Sequence, residues 1–323
     1  MNRQLTIRGA PELESSELHK LRNKHYNATV AEIREVHVDL RIMRVVPDAA
    51  LPVFLPGQYI SLGLGNWEPR VLGVDEEQLD PLHAQRLARR AYSISCSILD
   101  DDNRLRRARD FPYLEFYVAL VRHAVKRPPA LTPRLFALRQ GDRLFVEQHA
   151  AGHYTLQPLP PDDDVFFFST GTGEAPHNAM IAELLASGHR GRIVSALSVR
   201  LRRDAAYRSI HEELTRRFPN YHYQVLTTRE PENLDASRPD YISRQYLQDI
   251  VRTGSLERMT MVSLDPVRAH VFLCGNPAMI GVSRAAASHP GPALETMLDL
   301  LLARGFRPDQ PHRAGTVHFE RYW

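Results

Sequence analysis

Four stretches of the chain combine residue types that can do chemistry: Arg90-Ala91-Tyr92-Ser93, Gly171-Thr172-Gly173-Glu174-Ala175-Pro176, Cys274-Gly275-Asn276-Pro277-Ala278-Met279 and Glu320-Arg321-Tyr322-Trp323. An arginine pairs bidentately with a phosphate. A tyrosine two residues further along a strand points to the same side, where its ring can stack on a flat cofactor. A serine hydroxyl both donates and accepts, which suits a ring edge that changes protonation on reduction. The plain alternative makes Tyr92 a core aromatic and Arg90 a surface charge continuing Arg89.

Gly171-Thr172-Gly173 sits directly after an apolar run and before a helix candidate. That context aims backbone N–H groups and the positive end of a helix at one point, which suits a pyrophosphate, and glycine lets the backbone approach closely. A tight strand–helix connection would look the same, and Pro176 stands where a full GxGxxG fingerprint has its third glycine. Cys274-Gly275-Asn276-Pro277 also follows a strand candidate, at the edge where open parallel sheets bind ligands. Cys274 reads either as a small buried apolar residue or as a side chain beside a nicotinamide ring. Asn276 reads as a ligand contact or as the N-cap of a helix from Pro277. Thr132-Pro133 reads as N-cap and first residue of a further helix, whose N-terminus would offer a pyrophosphate a second dipole.

These stretches need two kinds of scaffold. Alternation begins at Thr29, with Val36, Val38, Leu40 and Ile42 on one side and His37, Asp39 and Arg41 on the other. Further strands are expected over 58–64, 91–99, 114–121 and 143–147, with one brief helix over 132–138, a pattern predicting an antiparallel barrel. After 158–164 the grammar changes. Apolar strands over 165–170, 193–199, 223–228 and 271–274, and a last strand over 317–322, alternate with helices over 176–187, 205–218, 243–251, 277–288 and 294–304. This predicts a parallel, Rossmann-like sheet covered on both faces. The expected organisation is an extension over 1–27, a barrel domain over 28–160 and an α/β domain over 161–323.

Composition narrows the classes. At 323 residues the chain can hold two cores. No apolar run approaches the ~20 residues of a membrane span, and the polar N-terminus broken by Pro11 does not read as a signal peptide, so a cytoplasmic location is expected. Two cysteines, Cys96 and Cys274, exclude a disulfide framework and a four-thiolate iron–sulfur cluster. The 15 histidines show no metal-ligand spacing, so no metal site is expected. Net charge is only +3. Arg86, Arg89, Arg90, Arg104, Arg106, Arg107 and Arg109 cluster either as a solvated surface or as a docking face for an acidic protein; no aromatic-rich basic motif points to nucleic acid.

Together, from about Thr29 to Trp323, these residues resemble the ferredoxin/flavodoxin–NADP+ reductase family in its bacterial form. The resemblance implies a two-domain enzyme: an FAD-binding antiparallel β-barrel, then an NADP-binding α/β domain ending in an aromatic flavin cap. By position it implies that Arg90 and Thr132 hold the FAD pyrophosphate, that Tyr92 stacks along the flavin and that Ser93 hydrogen-bonds near its N5. Tyr117, Val118 and Leu131 fall in stretches that resemble the ribityl and pyrophosphate contacts. Gly171, Thr172, Gly173, Pro176, Gly275, Asn276 and Met279 match the NADP loops. Ser93, Cys274, Glu320 and Tyr322 would line the hydride-transfer site, with Tyr322 covering the flavin and Trp323 packing on adenine. The family places arginines for the 2′-phosphate where Arg200 and Arg229 stand, with Arg244 as a third candidate; an NAD enzyme more often has a carboxylate at the end of the second strand.

Two departures stand out. Glu174 puts a carboxylate in the phosphate loop, where it either points away from the nucleotide or weakens its binding. The connection over 66–89 is longer than the family's. The implied function is FAD-dependent hydride exchange with NADP(H) and single-electron exchange with a separate ferredoxin or flavodoxin, by a monomer. The alternatives are the NAD(P)H-dependent reductase component of an oxygenase system and a non-catalytic flavin-binding regulatory subunit.

Overall fold

The structure is a computed structural model that describes residues 5–6, 14–79, 81–156, 159–281, 295–310 and 313–322. The chain divides into two compact units, Met1–Cys96 with Arg107–His153, and Ser97–Arg106 with Tyr154–Trp323.

The first unit contains β1 (Leu5–Thr6), α1 (Ser15–His25), β2 (Ala28–His37), β3 (Leu40–Pro47), β4 (Tyr59–Gly65), β5 (Arg70–Val71), β6 (Leu87–Ser93), β7 (Leu114–Ala119), α2 (Thr132–Leu135) and β8 (Arg143–Val146). Six strands run β6-β4-β8-β2-β3-β7, antiparallel throughout. Just beyond β6, Ser95 N–H donates to Glu115 O on β7 at 2.8 Å, which draws the two ends of the order together as a barrel. Inward residues of alternating strands, among them Ile60, Leu62, Leu64, Met43, Phe116 and Val118, fill the core.

Several local expectations change here. The single alternation expected from Thr29 is a hairpin: β2 and β3 pair antiparallel, so Val38 lies at the turn and is 62% exposed while Arg41 is 1% exposed. Arg41 is accommodated inside by its partners: its guanidinium stacks 4.3 Å from the Phe136 ring, donates to the Leu135 and Phe136 carbonyls and pairs with Glu35 at 2.7 Å. The strand expected over 91–99 is Leu87–Ser93. Residues 15–25, in the expected extension, form α1, and Tyr26 after it is buried, with its hydroxyl donating to Glu68 at 2.9 Å. The long connection over 66–89 is pinned to the same unit: Glu68 accepts from Arg22, and Glu77 pairs with the buried Arg134 at 2.7 Å.

The second unit contains β9 (Asp164–Thr170), α3 (Glu174–Ala186), β10 (Ile193–Val199), α4 (Arg208–Arg217), β11 (Tyr221–Thr227), α5 (Pro231–Leu234), α6 (Leu247–Arg252), α7 (Ser255–Thr260), β12 (Ala269–Gly275), α8 (Pro277–Ile280), α9 (Met297–Ala303) and β13 (Val317–Arg321). The sheet is parallel, in the order β11-β10-β9-β12-β13. Central strands such as Val165–Phe168 and Ile193–Leu197 are buried, as a sheet covered on both faces requires. The helix expected over 277–288 is Pro277–Ile280, with Gly281 as its C-cap; residues 282–288 lie outside the described residues.

Candidate functional site

Chain order runs outward from β9 through β10 to β11, then returns to the other side of β9 for β12 and β13. The carboxyl ends of β9 and β12 therefore flank the point where strand order reverses, the position at which open α/β sheets bind ligands. Gly171-Thr172-Gly173 leaves β9 there as a single 3₁₀ turn leading into α3. Cys274-Gly275-Asn276 leaves β12 beside it. Thr170 locks the two together, its hydroxyl accepting from Asn276 N–H at 2.8 Å. Two of these glycines have no steric slack: a Cβ on Gly173 would lie 2.4 Å from the Cys274 carbonyl oxygen, and one on Gly275, whose φ is +125°, 2.2 Å from the Thr170 hydroxyl. Thr170 was not anticipated from sequence, although its place between the apolar run and Gly171 is the signal that could have found it.

Cys274 faces Glu320 in the β12–β13 register. Burial, with Glu320 nearby, holds its thiol well above the ordinary range, and a hydrogen bond with the Tyr322 side chain offsets part of that. Tyr322 N–H donates to Gly275 O at 3.0 Å. The second unit thus brings Cys274, Gly275, Glu320 and Tyr322 together. Trp323 lies outside the described residues. Asn276 caps α8, accepting from Ala278 N–H at 2.9 Å, while Pro176 and Met279 are buried.

Behind the phosphate loop lies a polar interior that the sequence did not announce. Tyr154 is buried and its hydroxyl sits 2.6 Å from His177 Nε2. Burial, then His211, pushes His177 down to about 3. Glu174 is fully buried and points away from the loop; its Oε1 accepts from the Tyr223 hydroxyl at 2.8 Å. Burial raises Glu174 to about 8, against which the Tyr223 bond works.

Arg200, after β10, and Arg229, after β11, are exposed, and Arg229 N–H donates to Arg200 O at 2.8 Å. The two strand ends thus carry a pair of guanidinium groups with no acidic partner among the described residues. Arg244 is exposed in the stretch before α6.

In the first unit, Arg90 is exposed on β6 and its guanidinium donates to the Arg89 carbonyl at 2.8 Å. Tyr92, half-buried on the same side of the strand, meets Phe116 edge-on at 6.5 Å. Ser93, Tyr117, Val118 and Leu131 are buried. Thr132 is not the N-cap of α2; Leu131 takes that place, and the Thr132 hydroxyl accepts from Val121 N–H at 3.1 Å. With four residues α2 is too short to supply the dipole expected of it. The arginine cluster divides: Arg104 and Arg106 belong to the second unit and pair with Asp102 and Asp100, whereas Arg86, Arg89 and Arg90 are exposed on the first.

The oxidoreductase NAD-binding domain family matches residues 167–285. A flavodoxin/ferredoxin–NADP reductase of Buchnera aphidicola subsp. Baizongia pistaciae is 25% identical over 65% of this chain and 75% of its own length. Its namesake in Escherichia coli K12 is 27% identical over 53% of this chain and 64% of its own length. Among solved structures, a ferredoxin NADP+ reductase from Neisseria gonorrhoeae with bound FAD and NADP superposes with a TM-score of 0.67, at 16% identity, over 91% of this chain and 97% of that one.

Proposed function

We propose that this chain, similar to flavodoxin/ferredoxin–NADP reductases over much of its length, is a member of that family and an FAD-dependent reductase exchanging electrons between NADP(H) and a ferredoxin or flavodoxin. The observation that carries the reading is the junction at the strand-order reversal, where Gly173 and Gly275 leave only backbone between two loops tied by Thr170. A dinucleotide laid across such a junction meets main chain rather than side chains.

The residues fit both groups. The 13-residue α3 begins directly behind the Gly171–Gly173 turn, so its positive end favours the NADP(H) pyrophosphate. Arg200 and Arg229 supply cations for the 2′-phosphate, and Arg244 is placed to assist. Cys274 stays a neutral thiol at physiological pH because burial disfavours its thiolate, so it forms an uncharged wall for the nicotinamide ring, with Glu320 and Tyr322 beside it. In the first unit Arg90, exposed and free of any acidic partner among the described residues, is assigned to the FAD pyrophosphate, and Tyr92 and Ser93 to the ring system. When bound, FAD accepts hydride from NADPH and releases the electrons one at a time. Arg86 and Arg89 offer an acidic carrier protein a cationic approach. Only two cysteines occur, too few for a four-thiolate cluster in the chain itself, which supports a separate electron carrier.

A visible spectrum of the purified protein, followed by anaerobic titration with NADPH and then NADH, tests the assignment. A bound-flavin spectrum bleached preferentially by NADPH is expected. A protein without flavin, or one whose flavin neither nucleotide bleaches, overturns it.

A further inference from the structure

We propose that Glu174 is a positioning residue whose protonated side chain keeps the phosphate loop receptive to NADP(H), and whose ionisation weakens nucleotide binding. The inference rests on the assignment of the Gly171–Gly173 loop to the nucleotide. Glu174 opens α3 directly behind that loop, yet its side chain is fully buried. Oε1 has two neighbours, the Tyr223 hydroxyl at 2.8 Å and His211 Nε2 at 3.4 Å, and Oε2 is buried without a hydrogen-bond partner.

The groups around the carboxyl come from three elements. From β11, Tyr223 donates to it and Tyr221 holds His211 Nδ1 at 2.7 Å. From α4, His211 stacks on Tyr223 at 4.3 Å and lies 3.0 Å from Asn178 Oδ1. From its own helix come Asn178 and His177. No lysine or arginine pairs with Glu174 among the described residues, and His211 is held neutral by burial, pushed down to about 3. An ionised Glu174 is therefore an uncompensated buried anion. It would also sit in the first turn of α3, competing with a bound phosphate for the same positive helix end. Below about pH 8 the group is neutral and this competition is absent.

The test is equilibrium binding of NADP+ to the whole chain by calorimetry at pH 7 and pH 9, a window in which the ligand's phosphates and the arginines keep their charge. The dissociation constant of the native protein is expected to rise about tenfold across that window, the size of effect a partly buried charge exerts at a helix terminus. Glu174→Gln keeps an acceptor for Tyr223 but cannot ionise, so its affinity should vary by less than about twofold. Tyr223→Phe removes the bond that stabilises the carboxylate, so the midpoint of the loss should move to higher pH. A native dissociation constant that is flat from pH 7 to 9, or a Gln variant with the native pH dependence, overturns the inference while leaving the nucleotide assignment standing. Absence of NADP+ binding at both pH values overturns that assignment, and the inference with it.

Discussion

The buried Glu174 makes a separate prediction about stability. Its proton is retained in the folded chain up to about pH 8 against an ordinary value of 4.5. Between those limits the unfolded chain is ionised and the folded chain is not, so folding takes up a proton and stability falls as pH rises. The slope is about 1.4 kcal/mol per pH unit, or about 2 kcal/mol between pH 6.5 and 8. His177 and His211 act on the other side. Burial pushes both down to about 3 from 6.5, so their contribution is present above pH 6.5 and is lost as pH falls below it. The three groups together place the optimum of the second unit near pH 6.5, because below it two histidine slopes outweigh one carboxyl slope. Glu174→Gln removes only the alkaline arm, and its stability advantage over the native chain should grow by about 2 kcal/mol from pH 6.5 to 8. Urea unfolding followed by far-ultraviolet circular dichroism, fitted as separate transitions for the two units, measures this. A native transition that does not weaken over that window, or a Gln variant that weakens equally, refutes the reasoning, because it would mean the carboxyl is already ionised in the folded chain.

Other perturbations act elsewhere. Replacing Arg200 and Arg229 together by alanine should cost about 10²-fold or more in NADPH affinity, at about 1.5–3 kcal/mol per charge-assisted bond, with little change for NADH; fluorescence titration with both nucleotides separates the cases. Gly173→Ala drives a Cβ to within 2.4 Å of the Cys274 carbonyl oxygen, so the loop must shift and nucleotide affinity should fall at least tenfold while flavin content stays native, as absorbance would show. Arg134→Ala leaves Glu77, 13% exposed, with Arg70 at 3.8 Å in place of a guanidinium at 2.7 Å, and should destabilise the first unit by about 3 kcal/mol; an unchanged denaturation midpoint would contradict the pairing.

The second unit was largely legible because each central strand is one apolar run, α3 stops just before Gly188, α4 is amphipathic and α8 is capped by Asn276, signals carried by neighbours in sequence. Within the second unit the Gly171–Gly173 and Cys274–Asn276 stretches lie side by side, since the carboxyl ends of β9 and β12 follow from strand order alone. What escaped the sequence depended on distant partners. Glu174 looked like a charge in the phosphate loop because Tyr223, which receives its side chain, is 49 residues away. Val38 and Arg41 fitted an unbroken alternation, and only the antiparallel pairing of β2 with β3 shows that the strand turns between them. The helix α1 has few apolar residues to mark a face, Leu18 and Leu21 being those that reach the core. Thr132 had the sequence of a cap, but a backbone N–H from Val121 claimed its hydroxyl.

The segment Ser97–Arg106 belongs to the second unit although the chain on both sides of it belongs to the first. It is fastened there by Arg217, which donates to Asn103 O at 2.6 Å from 114 residues further on. During synthesis this segment therefore leaves the ribosome well before the helix that secures it, and waits while the rest of the first unit is made. A cut between His153 and Tyr154 would not yield two intact halves: the C-terminal product would lack ten of its own residues, and the N-terminal product would carry them without Arg217. Gene fusions or exchanges between relatives at that point would have to carry this segment along with the C-terminal half.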